Sequence, residues 1–131
     1  PDAITAFKSA GLDPATPKQC VGALRAGHWV HTAAAAALRR SLLKLATRYL
    51  VHEKSGARRA LDPVANFHLT NGARLERLNW LADTSPQGLS QSAGIMANYL
   101  YRPDGMEQNH EAYCDRGEVR ISGAVRGLLM S

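Results

Sequence analysis

The chain has 131 residues, 45% hydrophobic and 21% charged, a composition that argues against disorder and fits one domain with a modest core. No apolar run approaches the roughly 20 residues of a membrane span, and the opening residues lack the basic and apolar pattern of a secretion signal, so a soluble, cytoplasmic protein is expected. The net charge of +5, carried mostly by arginine, would attract a polyanion such as a phosphorylated cofactor or nucleic acid, though a solvated basic surface is the plainer account of charge alone.

In chain order, turn signals at Gly11-Leu12-Asp13-Pro14 and at Thr16-Pro17 each stop one short helix and start another, with Thr16 as cap and Pro17 at the first helical position. From about His31 to Lys54 one long helix is predicted: Ala33 to Ala37 are strong helix formers, and Leu38, Leu42, Leu45 and Tyr49 recur at helical spacing. Arg40, Lys44 and Arg48 form a basic stripe on its other side, more simply a solvated face than a phosphate contact. Ser55 to Arg59 reads as a loop. Val64 to Leu69 then reads as a strand, Asn71-Gly72 as a tight turn and Arg74 to Trp80 as a second strand, which makes a hairpin. Thr84 or Ser85 caps a helix predicted from Pro86 to about Tyr101. Glu107 to Gly117 has no defined pattern, and a short helix is expected from about Ser122 to Met130.

Several side chains invite a chemical reading. His68, at the end of its predicted strand and next to a turn, lies where a cleft would be lined; an imidazole holds or releases a proton near neutrality, although a structural histidine is the commoner outcome of such a setting. Tyr99 is either a helix aromatic packed in the core or a hydroxyl offered to a ligand, and Asn98 and Asn66 are either ligand contacts or groups that satisfy nearby backbone. His28 and His31 form an HxxH without a third ligand or a catalytic glutamate, so no metal is expected. The helix start at Ser85-Pro86 offers free N–H groups to an anion, but ordinary capping explains the same residues. Cys20 and Cys114 have no CxxC and no metal spacing, which suggests free thiols in a reducing compartment. A phosphate-binding P-loop and a GxGxxG are both absent.

The run Asp62-Pro63-Val64-Ala65-Asn66-Phe67-His68-Leu69-Thr70-Asn71-Gly72, continued by Gly72 to Pro86 and by Gln91-Ser92-Ala93-Gly94-Ile95-Met96-Ala97-Asn98-Tyr99-Leu100-Tyr101, closely resembles the C-terminal part of the malonyl-CoA decarboxylase family, near-continuously from about Leu45 to Val125. The resemblance implies an α/β (α+β) fold: a helical segment over residues 1–55, then, over 56–131, the C-terminal half of a GCN5-related acetyltransferase-like domain with a mixed sheet. It implies conversion of malonyl-CoA to acetyl-CoA and carbon dioxide with His68 as the catalytic histidine and Tyr99, with Asn98 beside it, in the substrate pocket. No metal, organic cofactor, nucleic acid or membrane is implied, and a homo-oligomer is. The family's catalytic serine lies in an upstream Ser-x-Pro-x-Pro-Gly-Phe-like segment that these residues lack, so the chain reads as a C-terminal portion that works with an upstream part of the same enzyme. A CoA-ester acyltransferase and a non-catalytic acyl-CoA-binding module are the rival readings.

Overall fold

The structure, a computed structural model, describes residues 17–130. Among them the chain forms two compact units, one of residues 17–43 with Asn79–Met96, the other of Lys44–Leu78 with residues 97–130. Helices and two small two-stranded sheets make an α+β fold.

In the first unit, helix α1 (Pro17–Ala26) begins at the expected proline, while the cap proposed at Thr16 and the turn at Gly11 to Pro14 lie outside the described residues. Gly27, at φ 79°, ends it and leads into a 3₁₀ turn, His28–His31. That turn buries Trp29, whose indole Nε1–H donates to the Leu24 carbonyl at 3.0 Å and whose ring meets Trp80 at 5.8 Å. Thr32 then starts the long helix α2 (Ala33–His52), its Oγ1 accepting from the Ala34 N–H at 3.2 Å. In this unit α2 buries Ala34, Leu38, Leu42 and Leu43; in the second unit its buried positions are Thr47 and Val51, whereas Leu45 and Tyr49 are exposed. Helical spacing tells which residues share a face but not how far along the helix that face is covered, and this is why the expected apolar stripe is buried at Leu38 and Leu42 but not at Leu45 and Tyr49.

Helix α4 (Pro86–Ser92) has Ser85 as its cap, Oγ accepting from the Gly88 N–H at 3.1 Å. It does not run on to Tyr101 as expected. Ala93 at φ 52° and Gly94 at φ 82° break the helix, and strand β4 (Met96–Leu100) follows. Asn98 and Tyr99 therefore stand on a strand.

In the second unit the loop at residues 55–59 is held by a minimal antiparallel pair, β1 (Lys54–Ser55) and β2 (Arg59–Ala60). Residues 63–70, expected as a strand, form helix α3 (Pro63–Thr70): the Asp62 carboxylate accepts from the Ala65 N–H at 2.9 Å and Pro63 supplies the first helical residue. Ala65 and Leu69 are the buried pair one turn apart, and Asn71-Gly72 ends this helix instead of closing a hairpin. Strand β3 (Arg74–Asn79) follows as expected, burying Leu75 and Leu78; it pairs with β4 and, through Leu75, runs parallel to Ile121. Residues without a legible pattern form helix α5 (Met106–Arg116), which buries Ala112 and Tyr113. Helix α6 (Gly123–Met130) closes the described chain, tied down by Ser122, whose hydroxyl donates to the Glu76 carbonyl at 2.6 Å and accepts from the Val125 N–H at 3.2 Å.

Candidate functional site

The site lies in the second unit, where the last turn of α3 faces the end of β4. Capping by Asp62 and Pro63 fixes the register of α3, and its buried pair Ala65 and Leu69 leaves Phe67 and His68 on the uncovered side. On a strand successive side chains alternate, so Tyr99 and Tyr101 share one face at the end of β4. His68 sits against that face. Its imidazole stacks on the Tyr99 ring at 4.5 Å with 19° between planes, and Nδ1 lies 2.5 Å from the Tyr101 hydroxyl. Phe67 and Tyr101 close two further sides edge-on, at 5.2 and 5.8 Å.

A phenol at hydrogen-bonding distance from Nδ1 fixes what the ring can do. Where Tyr101 donates, Nδ1 accepts and Nε2 carries the proton; where the ring is an imidazolium, Nδ1–H donates to the phenol oxygen. In both of these states Nε2 carries a proton that can be given to a ligand; in the neutral tautomer with the proton on Nδ1, which donates to the phenol oxygen, Nε2 is an acceptor instead. The Tyr99 hydroxyl is held above the ordinary tyrosine range, first by burial and then by the negative charge of Asp62, with smaller contributions from Tyr101 and Tyr113. It therefore stays a neutral donor throughout the physiological range. Asn66 is engaged from behind: Tyr113, buried on α5, accepts from the Ala60 N–H at 2.7 Å and donates to Asn66 Oδ1 at 2.6 Å, which ties α3 and β2 to α5. The rim is apolar and open, with Val64 60% and Phe67 61% exposed.

The residues singled out in the sequence divide accordingly. His68 and Tyr99 are in ring contact, whereas Asn98, next to Tyr99, turns to the opposite side of the strand and is exposed. Tyr101 was missed. The signal that finds it is strand periodicity, since two tyrosines two apart share a face only once residues 96–100 are known to be extended. At the Ser85 helix start, the Asp83 carboxylate already accepts from the Ser85 N–H at 3.0 Å and from its hydroxyl at 2.6 Å. Among the described residues no three His, Cys, Asp or Glu side chains gather as a metal site, and no helix is long and apolar enough to cross a membrane.

The site is thus a half-buried histidine in an aromatic cage on an α+β scaffold. Residues 5–131 match the malonyl-CoA decarboxylase C-terminal domain, and the chain belongs to that family. It is 45% identical over 89 residues to the mitochondrial malonyl-CoA decarboxylase of Anser anser anser, covering 68% of this chain and 18% of that protein. To the Rattus norvegicus counterpart it is 39% identical over 109 residues, 82% of this chain and 22% of that one. Among solved structures, malonyl-CoA decarboxylase from Rhodopseudomonas palustris aligns with a TM-score of 0.75 at 42% identity, over 95% of this chain and 25% of that one. The structure from Cupriavidus metallidurans gives 0.79 at 37% identity, over 97% and 31%. The chain thus spans about a fifth of the length of the curated relatives it matches.

Proposed function

We propose that this chain is the histidine-bearing C-terminal portion of a malonyl-CoA decarboxylase, acting on malonyl-CoA to give acetyl-CoA and carbon dioxide. The observation that carries the reading is the His68 imidazole held between Tyr99 and Tyr101, in a chain of this family. In the reaction the bond from the α-carbon to the carboxylate breaks, carbon dioxide leaves, and the electron pair stays behind as an enolate of the thioester. The site must then stabilise the charge on the thioester oxygen and deliver a proton to carbon. His68 is the acid in this scheme: as an imidazolium it gives its Nε2 proton to the α-carbon while Nδ1 remains bonded to Tyr101, and it is recharged from solvent. Tyr99, kept neutral by burial, is a donor for the developing oxyanion. The apolar rim of Val64 and Phe67 favours passage from a charged carboxylate to uncharged carbon dioxide once substrate excludes water.

In this reading the second unit belongs to the C-terminal half of a GCN5-related acetyltransferase-like domain, for which the parallel bridge of β3 to Ile121 is the structural support. A helical segment over residues 1–55 that leads into the C-terminal portion over 56–131 belongs to the same reading. The open rim at His68 is where an upstream serine-bearing part of the enzyme would complete the pocket. Asn98, facing away from His68, is assigned to substrate outside the reacting centre. A homo-oligomer and a cytoplasmic setting complete the proposal; the free, exposed Cys114 thiol supports the latter. The deciding experiment is incubation of carboxyl-labelled malonyl-CoA with this chain together with its upstream part. Release of labelled carbon dioxide without an acceptor supports the proposal, and acyl transfer only in the presence of an amine or alcohol overturns it.

A further inference from the structure

The second unit holds a cavity of about 640 Å³, within the range that encloses small organic ligands. It is separate from the histidine site. Leu100 lines it, and the residue before, Tyr99, stacks on His68; because neighbours on β4 point to opposite sides, the cavity lies behind the strand as seen from the imidazole. Five cations reach it, Lys54, Arg74, Arg102, Arg120 and Arg126. Against them stand the carboxylates of Asp104 and Glu118.

The pairing of these groups leaves positive charge to spare. Arg74 is held by Glu76 at 2.7 Å and Arg120 by Glu118 at 3.3 Å, while among the described residues no carboxylate lies within ion-pair distance of Arg102 or Arg126. Lys54 donates to the Gly117 carbonyl at 2.8 Å and lies 5.8 Å from the centre of the Tyr113 ring, with no carboxylate within ion-pair distance among the described residues, and burial pulls its pKa below the ordinary lysine value. Like charges converging on one concavity repel unless an anion sits among them, and the planar fork of arginine suits the paired oxygens of a phosphate.

We infer that this cavity binds a phosphorylated small molecule, at a site distinct from the one that holds the reacting thioester. The inference stands independently of the decarboxylase reading, since it rests on the cavity and its charges alone. The test is calorimetric titration of the 131-residue chain with pyrophosphate at low ionic strength. Saturable binding at one site is expected, weakening as salt is raised. Arg102→Gln with Arg126→Gln should weaken it at least about tenfold, because two charge-assisted contacts are lost. A charge-matched change on the exposed face of α2, Arg39→Gln with Arg40→Gln, should leave it nearly unchanged. Glu118→Gln should tighten it, an effect that damage to the fold would not produce. Retention of bound pyrophosphate in the presence of coenzyme A is expected and assigns the site to a separate phosphorylated metabolite; displacement by coenzyme A would make the cavity part of the thioester's own site and overturns the inference. No saturable binding at millimolar pyrophosphate, equal weakening in the α2 control, or Glu118→Gln without effect overturns it.

Discussion

The hydrogen bond between Tyr101 and His68 Nδ1 makes the proton on the imidazole depend on a phenol, and the ring stack with Tyr99 fixes the plane in which that proton is offered. The two tyrosines should therefore fail differently. Tyr101→Phe, measured in the chain joined to its upstream part, should lower kcat/KM by about ten- to a hundredfold, since it strips Nδ1 of its partner; an unchanged kcat/KM would reduce Tyr101 to packing. His68→Ala should lower kcat by about two to four orders of magnitude with the fold retained by circular dichroism. Tyr99→Phe keeps the stack and removes only a hydroxyl, so activity should fall without loss of melting temperature at neutral pH. Its signature is at high pH. The folded Tyr99 hydroxyl ionises above the ordinary value of 10.0, so the folded state keeps a proton that the unfolded chain gives up; the corresponding stability is present below pH 10.0 and is lost as pH climbs toward the raised value. Chemical denaturation should show this fall between neutral and strongly alkaline pH in the parent chain and a shallower one in Tyr99→Phe. Identical slopes would contradict the burial of that hydroxyl.

At the scale of elements, the turn between α3 and β3 positions His68 relative to the sheet. Gly72 sits there at φ 90°, and a Cβ on it would come 2.5 Å from the Met106 carbonyl oxygen, which is backbone and cannot swing aside. Gly72→Ala should cost well over about 1 kcal/mol, whereas Gly56→Ala, at φ 79° with open space around it, should cost only about 1 kcal/mol. Urea denaturation of both variants checks the contrast, and equal midpoints would refute it. A second local device is the Asp83–Ser85–Gly88 cap of α4: the Ser85 hydroxyl and N–H hold the Asp83 carboxyl below its ordinary value, so its contribution is present above pH 3.8 and lost as pH falls through the lowered value. Ser85→Ala should cost about 1 kcal/mol at neutral pH and flatten the acid limb of the stability profile. The elements legible in the sequence were α1 from Pro17, α2 from its alanine run, β3 despite an imperfect alternation, and α6 despite Gly123 and Gly127. Residues 64–69 suggest a strand in the sequence but form a helix, because Asp62-Pro63 is a helix start and such a cap outweighs strand propensity over so short a run. Met96 to Leu100 kept a helix-like spacing that hid the stop at Ala93-Gly94, and polar α5 buries too few apolar side chains to announce itself. The candidate site was thus legible as residues but not as geometry: His68 and Tyr99 were singled out on the wrong elements, and Tyr101 emerged only once β4 was extended.

For the whole molecule, the open rim around His68 and the share of its relatives that this chain spans bear on one question, whether these residues suffice for turnover. The hydroxyl that meets the imidazole among the described residues is the phenol of Tyr101 at Nδ1, while Tyr99 covers one face of the ring by stacking. An enolate needs a second donor from the far side and a wall that excludes water, and Val64 and Phe67 leave that side exposed. The 131-residue chain alone should therefore bind coenzyme A thioesters weakly and release little labelled carbon dioxide, and adding the upstream part, in trans or as one polypeptide, should restore turnover by orders of magnitude. The same addition should cover the rim, so hydrogen exchange at the backbone of α3 should slow in parallel with the gain in activity. If the isolated chain, its mass confirmed, turns over as fast as the joined one, the second donor lies within these residues. Activity restored without added protection of α3 would instead place the completing segment away from His68 and remove the exposed rim from the argument.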